Sequence, residues 1–132
     1  MLDDLVKEYL SLSDIMRKGY KDSLRTESQT WNETLSRLSP VVPDVFKAIY
    51  GEVSGTYRGI DNQTYMDFVP GYRLIHIEEL EKEYHTLLQM LASDDICEAR
   101  IRTIIPLLAD YSSCYVCYVE TYNNEEAVFH FS

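Results

Sequence analysis

Basic side chains are scarce in this chain of 132 residues: 12 Lys and Arg stand against 22 Asp and Glu, a formal net charge of −10. A domain so acidic does not grip a phosphate backbone, because that affinity comes from cations that displace counterions. Nucleic acid is therefore not the expected partner; a basic protein is, through steering and charge complementarity. Glycine is thin as well, with 5 residues, and no P-loop, Gly-rich dinucleotide turn or GxSxG elbow occurs. No apolar run approaches the roughly 20 residues of a membrane span, so no membrane partner is expected. The start Met1-Leu2-Asp3-Asp4 lacks the basic region and apolar core of a signal peptide. Three cysteines, an odd number, fit reduced thiols and a cytoplasmic location better than a disulfide framework. His76, His85 and His130 share no metal-ligand spacing. Cys114 and Cys117 have CxxC spacing, but on a strand positions three apart point to opposite faces, which rules out a shared metal or a redox pair. No metal, cofactor or catalytic residue is expected.

What is present is the composition of a globular domain, 45% hydrophobic and 26% charged, of a length that suits one domain with its own core. Its organising stretch is residues 104 to 131, which reads as three strands in a row. Ile104 to Ala109 is nearly unbroken apolar sequence, and Asp110 to Ser113 supplies turn chemistry. Cys114 to Val119 is rich in β-branched and aromatic residues and is apolar on both faces, as a central strand should be. Asn123-Asn124 marks a second turn and Ala127 to Phe131 a third strand.

The preceding chain supplies cover for that sheet. Residues 2 to 18 predict an amphipathic helix with Leu2, Leu5, Val6, Tyr9, Leu12 and Met16 as its apolar face, followed by a polar connector over 19 to 27. Thr30 and Glu33 have capping-box spacing ahead of a short helix with Trp31, Leu35 and Leu38 inward. Pro43 opens a third helix that buries Phe46, Ile49 and Tyr50 and stops at Gly51. Thr56 to Ile60 and Gln63 to Val69 read as a hairpin about Asp61-Asn62, with a short strand over Tyr72 to Ile75. The clearest helix is 77 to 92: Ile77, Leu80, Tyr84, Leu87, Leu88 and Leu91 form its stripe, and Glu78, Glu79, Glu81 and Glu83 its polar side. The layout is α+β, a mostly antiparallel sheet of about five to six strands packed against helices.

Charge is unevenly placed. Residues 1 to 40 hold 7 acidic and 6 basic side chains, a net of −1, whereas residues 41 to 132 hold 15 and 6, a net of −9. An acidic recognition surface gives this count, as does scattered solubilising charge. Paired carboxylates such as Glu78-Glu79 and Glu125-Glu126 sit in polar stretches with no apolar pocket to shift a pKa. Of 11 tyrosines, Tyr111, Tyr115, Tyr118 and Tyr122 gather near the central hairpin. Tyrosine serves both as a core residue with a wet tip and as an interface anchor.

Several stretches together resemble the SUKH superfamily, which contains many immunity proteins of bacterial polymorphic toxin systems. Pro106 to Tyr118, PLLADYSSCYVCY, is similar to the family's strand, turn and strand, with Pro106, Asp110, Tyr115 and Cys117 matching without a gap. Leu38 to Gly51 is like its proline-led helix, and Gly71 to Leu80 like its strand running into a long helix. Tyr111, Ser112 and Ser113 stand where the family carries turn glycines. The resemblance covers residues 31 to 131 and implies a single domain over 1 to 132, with the helix of 2 to 18 preceding an α+β core from 27.

The resemblance also implies a non-enzymatic cytoplasmic protein that neutralises a cognate toxin domain by stoichiometric contact. Many such toxins are basic nucleases, which an acidic surface suits. The contact residues expected on the hairpin loops and sheet edge are Asp61, Asp67, Asp110, Tyr111, Glu120, Glu125 and Glu126. A general interaction module in a regulatory or cell-wall pathway is the alternative, and a small-molecule binder a more distant one. An apolar last strand at a sheet edge also invites a homodimer.

Overall fold

A computed structural model of the chain describes residues 2–24, 31–39, 41–59, 67–93, 101–110, 114–121 and 126–131. Among the described residues, five helices precede or interleave with a four-stranded antiparallel meander in the order β1-β2-β3-β4. The strands are β1 (Arg73–Leu74), β2 (Ile101–Ala109), β3 (Tyr115–Thr121) and β4 (Glu126–Phe131). Three are long and β1 is only two residues, so the architecture is α+β with a smaller described sheet than the sequence predicts. The expected hairpin about Asp61-Asn62 lies outside the described residues. Of its flanks, Thr56 makes a single parallel bridge to Ile75, and Val69 an antiparallel one to Tyr72 across a turn. Gly71 closes that turn at φ 87°, a conformation L side chains rarely adopt.

The predicted run of strands at the C-terminus is present. Asp110 makes the first turn as its residue type suggests: its Oδ1 accepts the Cys114 N–H at 3.0 Å, and its own N–H reaches the Cys114 carbonyl at 3.1 Å. β3 lies between β2 and β4, and Tyr115, Cys117, Tyr118 and Val119 are all buried, as a strand covered on both sides requires. The register of β2 against β3 shifts between Pro106 and Leu108. Such an irregularity is where a strand tolerates a proline that cannot donate to the ladder.

Helices α1 (Leu2–Met16), α2 (Tyr20–Ser23), α3 (Trp31–Leu38), α4 (Asp44–Tyr50) and α5 (Ile77–Ser93) pack around this sheet. On α4, Phe46, Ile49 and Tyr50 are buried as their spacing predicts, and Phe46 meets Tyr118 of β3 edge-on at 6.1 Å. On α5, Ile77, Leu80 and Leu87 are buried. Two expectations are corrected. The stretch read as a polar connector contains α2, and Tyr20 and Leu24 are fully buried there. On α1 the side facing the domain is Val6, Leu10 and Ser13, while Leu5, Leu12 and Met16 of the predicted apolar face lie in solvent. The helix carries two apolar stripes, and the wider one is not the one its own domain covers.

Core burial sets the expected response to truncation. Leu10→Ala and Ile105→Ala each remove a fully buried side chain and should cost about 2–5 kcal/mol by urea unfolding. Val41→Ala, at an exposed position, should stay within about 0.5 kcal/mol.

Candidate functional site

Arg73 is the single cation in the short run Tyr72 to Ile77, and its side chain is 1% exposed. Register explains how it is held. Arg73 and Tyr115 both pair with Ala109, one from each side, so three neighbouring strands present Arg, Ala and Tyr in a row. The small central residue leaves space for the two long ones to reach α5. There Glu79 and Glu83, four apart, stand on the same side of the helix. Arg73 Nη1 donates to Glu79 Oε1 at 3.0 Å and to the Thr56 carbonyl at 2.8 Å, and Nη2 lies 3.7 Å from Glu83 Oε1. Tyr115 donates its hydroxyl proton to Glu83 Oε2 at 2.5 Å. Arg58, half exposed, adds a second cation 3.8 Å from Glu83 Oε1, and its backbone N–H donates to Glu79 at 3.0 Å. A buried guanidinium is tolerable only when paired and hydrogen-bonded; two carboxylates and the Thr56 carbonyl meet that demand at Nη1 and Nη2, while Nε has no hydrogen-bond partner among the described residues.

The segment that carries Thr56, Tyr57 and Arg58 is clamped in place. Ser54 and Gly55 donate their N–H groups to the Leu24 carbonyl, Thr56 donates to Leu74, and Ile77 donates to Ser54. Gly55 has φ 102°, and a Cβ there would stand 2.7 Å from the Ile75 carbonyl oxygen, so only glycine fits between the loop and β1. Beside the ion cluster, His76 is buried and stacks on Tyr57 with ring centroids 3.7 Å apart. His76 Nδ1 accepts the Glu78 N–H at 3.1 Å and so caps the first turn of α5. Tyr57, partly exposed, donates to Glu78 Oε2 at 2.5 Å.

Burial governs protonation throughout. Desolvation first, then the bond to Glu83, raises the Tyr115 pKa, so the hydroxyl stays a donor. Desolvation lowers His76 against the opposing pull of Glu78 and Glu79, which keeps Nδ1 free to accept. Burial pushes the Cys117 thiol up to about 12, so it is a core residue and not a nucleophile at neutral pH. Among the described residues no three His, Cys, Asp or Glu side chains converge to hold a metal ion, and no helix is long and apolar enough to cross a membrane.

The residues expected at a contact surface are divided between two ends of the sheet. Asp67 and Asp110 lie at the end near Arg73, where both close turns: Asp67 Oδ2 accepts the Gly71 N–H at 3.2 Å, and Asp110 holds Cys114. Glu120 and Glu126 lie at the other end, directly opposite each other in the β3–β4 register, roughly 20 Å away along β3. Glu120 accepts from Tyr118 at 3.4 Å. Asp61, Tyr111 and Glu125 lie outside the described residues. Sequence reading missed Arg73, Glu79, Glu83, Tyr57, Arg58 and His76. Glu83 was assigned to the solvent side of α5 and is buried. An arginine inside an apolar strand segment, followed by carboxylates four apart on a helix, was the available signal.

Fold and site together define an α+β domain whose sheet and longest helix are joined by a buried ion cluster. In comparisons with known proteins, no family model and no curated protein matches this chain.

Arg73→Met should cost about 3–5 kcal/mol, because it removes the buried cation that pairs with Glu79 at 3.0 Å and Glu83 at 3.7 Å. For His76 the folded pKa is depressed, so its stabilising contribution is complete above the unfolded value of about 6.5 and is lost as pH falls from there toward the folded value. His76→Asn, which keeps an acceptor for the Glu78 N–H, should flatten the fall in urea stability between about pH 7 and about pH 5.

Proposed function

We propose that the protein is a non-catalytic binder that neutralises a basic toxin domain in the cytoplasm by stoichiometric contact through an acidic surface. The observation that carries this reading is the strand register, which sets Glu120 directly opposite Glu126 on β3 and β4 and so gathers two acidic residues at one end of the sheet. A basic partner docked there meets both, which favours complementary charge. Glu125 adjoins the pair in sequence. The concentration of charge in residues 41 to 132, a net of −9, supplies long-range attraction for a basic partner. The resemblance of residues 106 to 118 to the SUKH immunity proteins supports the same assignment.

The internal use of chemically capable groups also favours binding over catalysis. Arg73, Glu79, Glu83, Tyr115 and His76 bond to one another or to backbone, and their bonds hold α5 on the sheet. In this reading the whole sheet has the five or six strands expected from the sequence.

One measurement tests the proposal. Glu120→Lys with Glu126→Lys should weaken binding to a basic partner by about tenfold or more and reduce its salt dependence. That partner is sought by pull-down from the cells that produce the chain, and it should be a toxic protein whose activity is blocked at a one-to-one ratio. Salt-independent capture of several unrelated proteins would favour a regulatory interaction module instead.

A further inference from the structure

Six of the nine large apolar side chains exposed among the described residues lie on one helix, α1. Leu5 is 58% exposed, Leu12 54%, Ile15 78% and Met16 84%, with Leu2 and Tyr9 partly exposed. Positions 2, 5, 9, 12 and 16 follow one another by three, four, three and four residues. That is the spacing of a coiled-coil seam, in which each side chain packs into a hole on a facing helix. Apart from Tyr9, which also touches Phe68, the seam is separate from the stripe of Val6, Leu10 and Ser13 that holds α1 to its own domain.

The surroundings of the seam specify what covers it. α1 begins with Asp3 and Asp4, and Arg17 and Lys18 follow its last turn. Two such helices side by side in parallel place acid on acid and base on base. Two antiparallel helices place the acidic start of each on the basic end of the other. An antiparallel register with Leu5 against Met16 and Tyr9 against Leu12 also sets Asp4 against Arg17 and Asp3 against Lys18. The same alignment leads Leu2 and Leu5 of one copy toward an open groove of about 620 Å³ on the other. That groove runs between the second half of α1 and the turn at Phe68, Val69 and Pro70. Its wall is preset, because the Tyr9 ring packs on Phe68 at 4.9 Å and its hydroxyl donates to the Phe68 carbonyl.

We infer that the protein forms a two-fold symmetric dimer through antiparallel pairing of α1 with α1 of a second copy. The interface is isologous, so each copy supplies the same seam and the same groove, and association closes at two. It lies on a helix and not on the β4 edge, and it stands independently of the toxin-binding reading.

The test is sedimentation equilibrium of the full chain from about 1 to about 200 µM. The weight-average mass should rise from that of a monomer toward twice that value. Leu5→Glu with Leu12→Glu changes two exposed residues and should leave the circular dichroism spectrum and urea midpoint of the dilute protein unchanged. It should weaken self-association by about a hundredfold or more. Orientation is read by mixing Leu5→Cys with Met16→Cys under mild oxidation, with the unaltered chain as control for its native thiols. The mixture should form a covalent dimer that neither variant forms alone. A wild-type chain monomeric throughout the range, a dimer unaffected by the two glutamates, or cross-linking of each cysteine variant with itself would each overturn the inference.

Discussion

Burying the Arg73 guanidinium constrains the rest of this structure. A cation removed from water must be met by opposite charge with good geometry, and the elements that meet it are distant in sequence. Glu79 and Glu83 require the start of α5 to lie against the sheet, Tyr115 places β3 in reach, and the Thr56 carbonyl brings in the loop that follows α4. One ion cluster therefore determines how helix, sheet and loop sit together. The apolar core formed by Leu74, Leu80, Ile105 and Leu108 contributes stabilisation without specifying that alignment so narrowly.

The cap on α5 extends the same logic. Burial lowers the His76 pKa, which favours the neutral ring that accepts the Glu78 N–H and covers the helix start. Tyr57 closes over it by stacking and by a bond to Glu78, which leaves a carboxylate-rich rim around an interior whose charges are matched. Of the two cations of this region, Arg73 is drawn inward and Arg58 stays half exposed beside Glu83.

Local patterns in the sequence foretold the elements well. The apolar runs from Ile104 to Phe131 form strands, Asp110 makes its turn, and Phe46, Ile49 and Tyr50 are buried on α4 as spaced. What spacing did not reveal was which of two apolar stripes on α1 faces inward, because both satisfy helical periodicity and only tertiary packing chooses between them. Glu83 was misplaced for a related reason. A carboxylate is assigned to solvent unless its partner is known, and Arg73 lies ten residues earlier on another element. The candidate contact residues illustrate the same limit. The carboxylates of Asp67 and Asp110 close turns, while strand register sets Glu120 opposite Glu126, a pairing that was not legible in the sequence.

The most direct measurement of the central claim is a double-mutant cycle between Arg73 and Glu83. The stabilities of the unaltered chain, Arg73→Met, Glu83→Leu and the double variant are compared by urea unfolding. If the ion cluster aligns α5 with the sheet, the two losses should be strongly non-additive, with a coupling of about 1–3 kcal/mol, so that the double variant loses less than the sum of the two single losses. Additive losses within about 0.5 kcal/mol would mean that the two groups act separately, and would contradict the account.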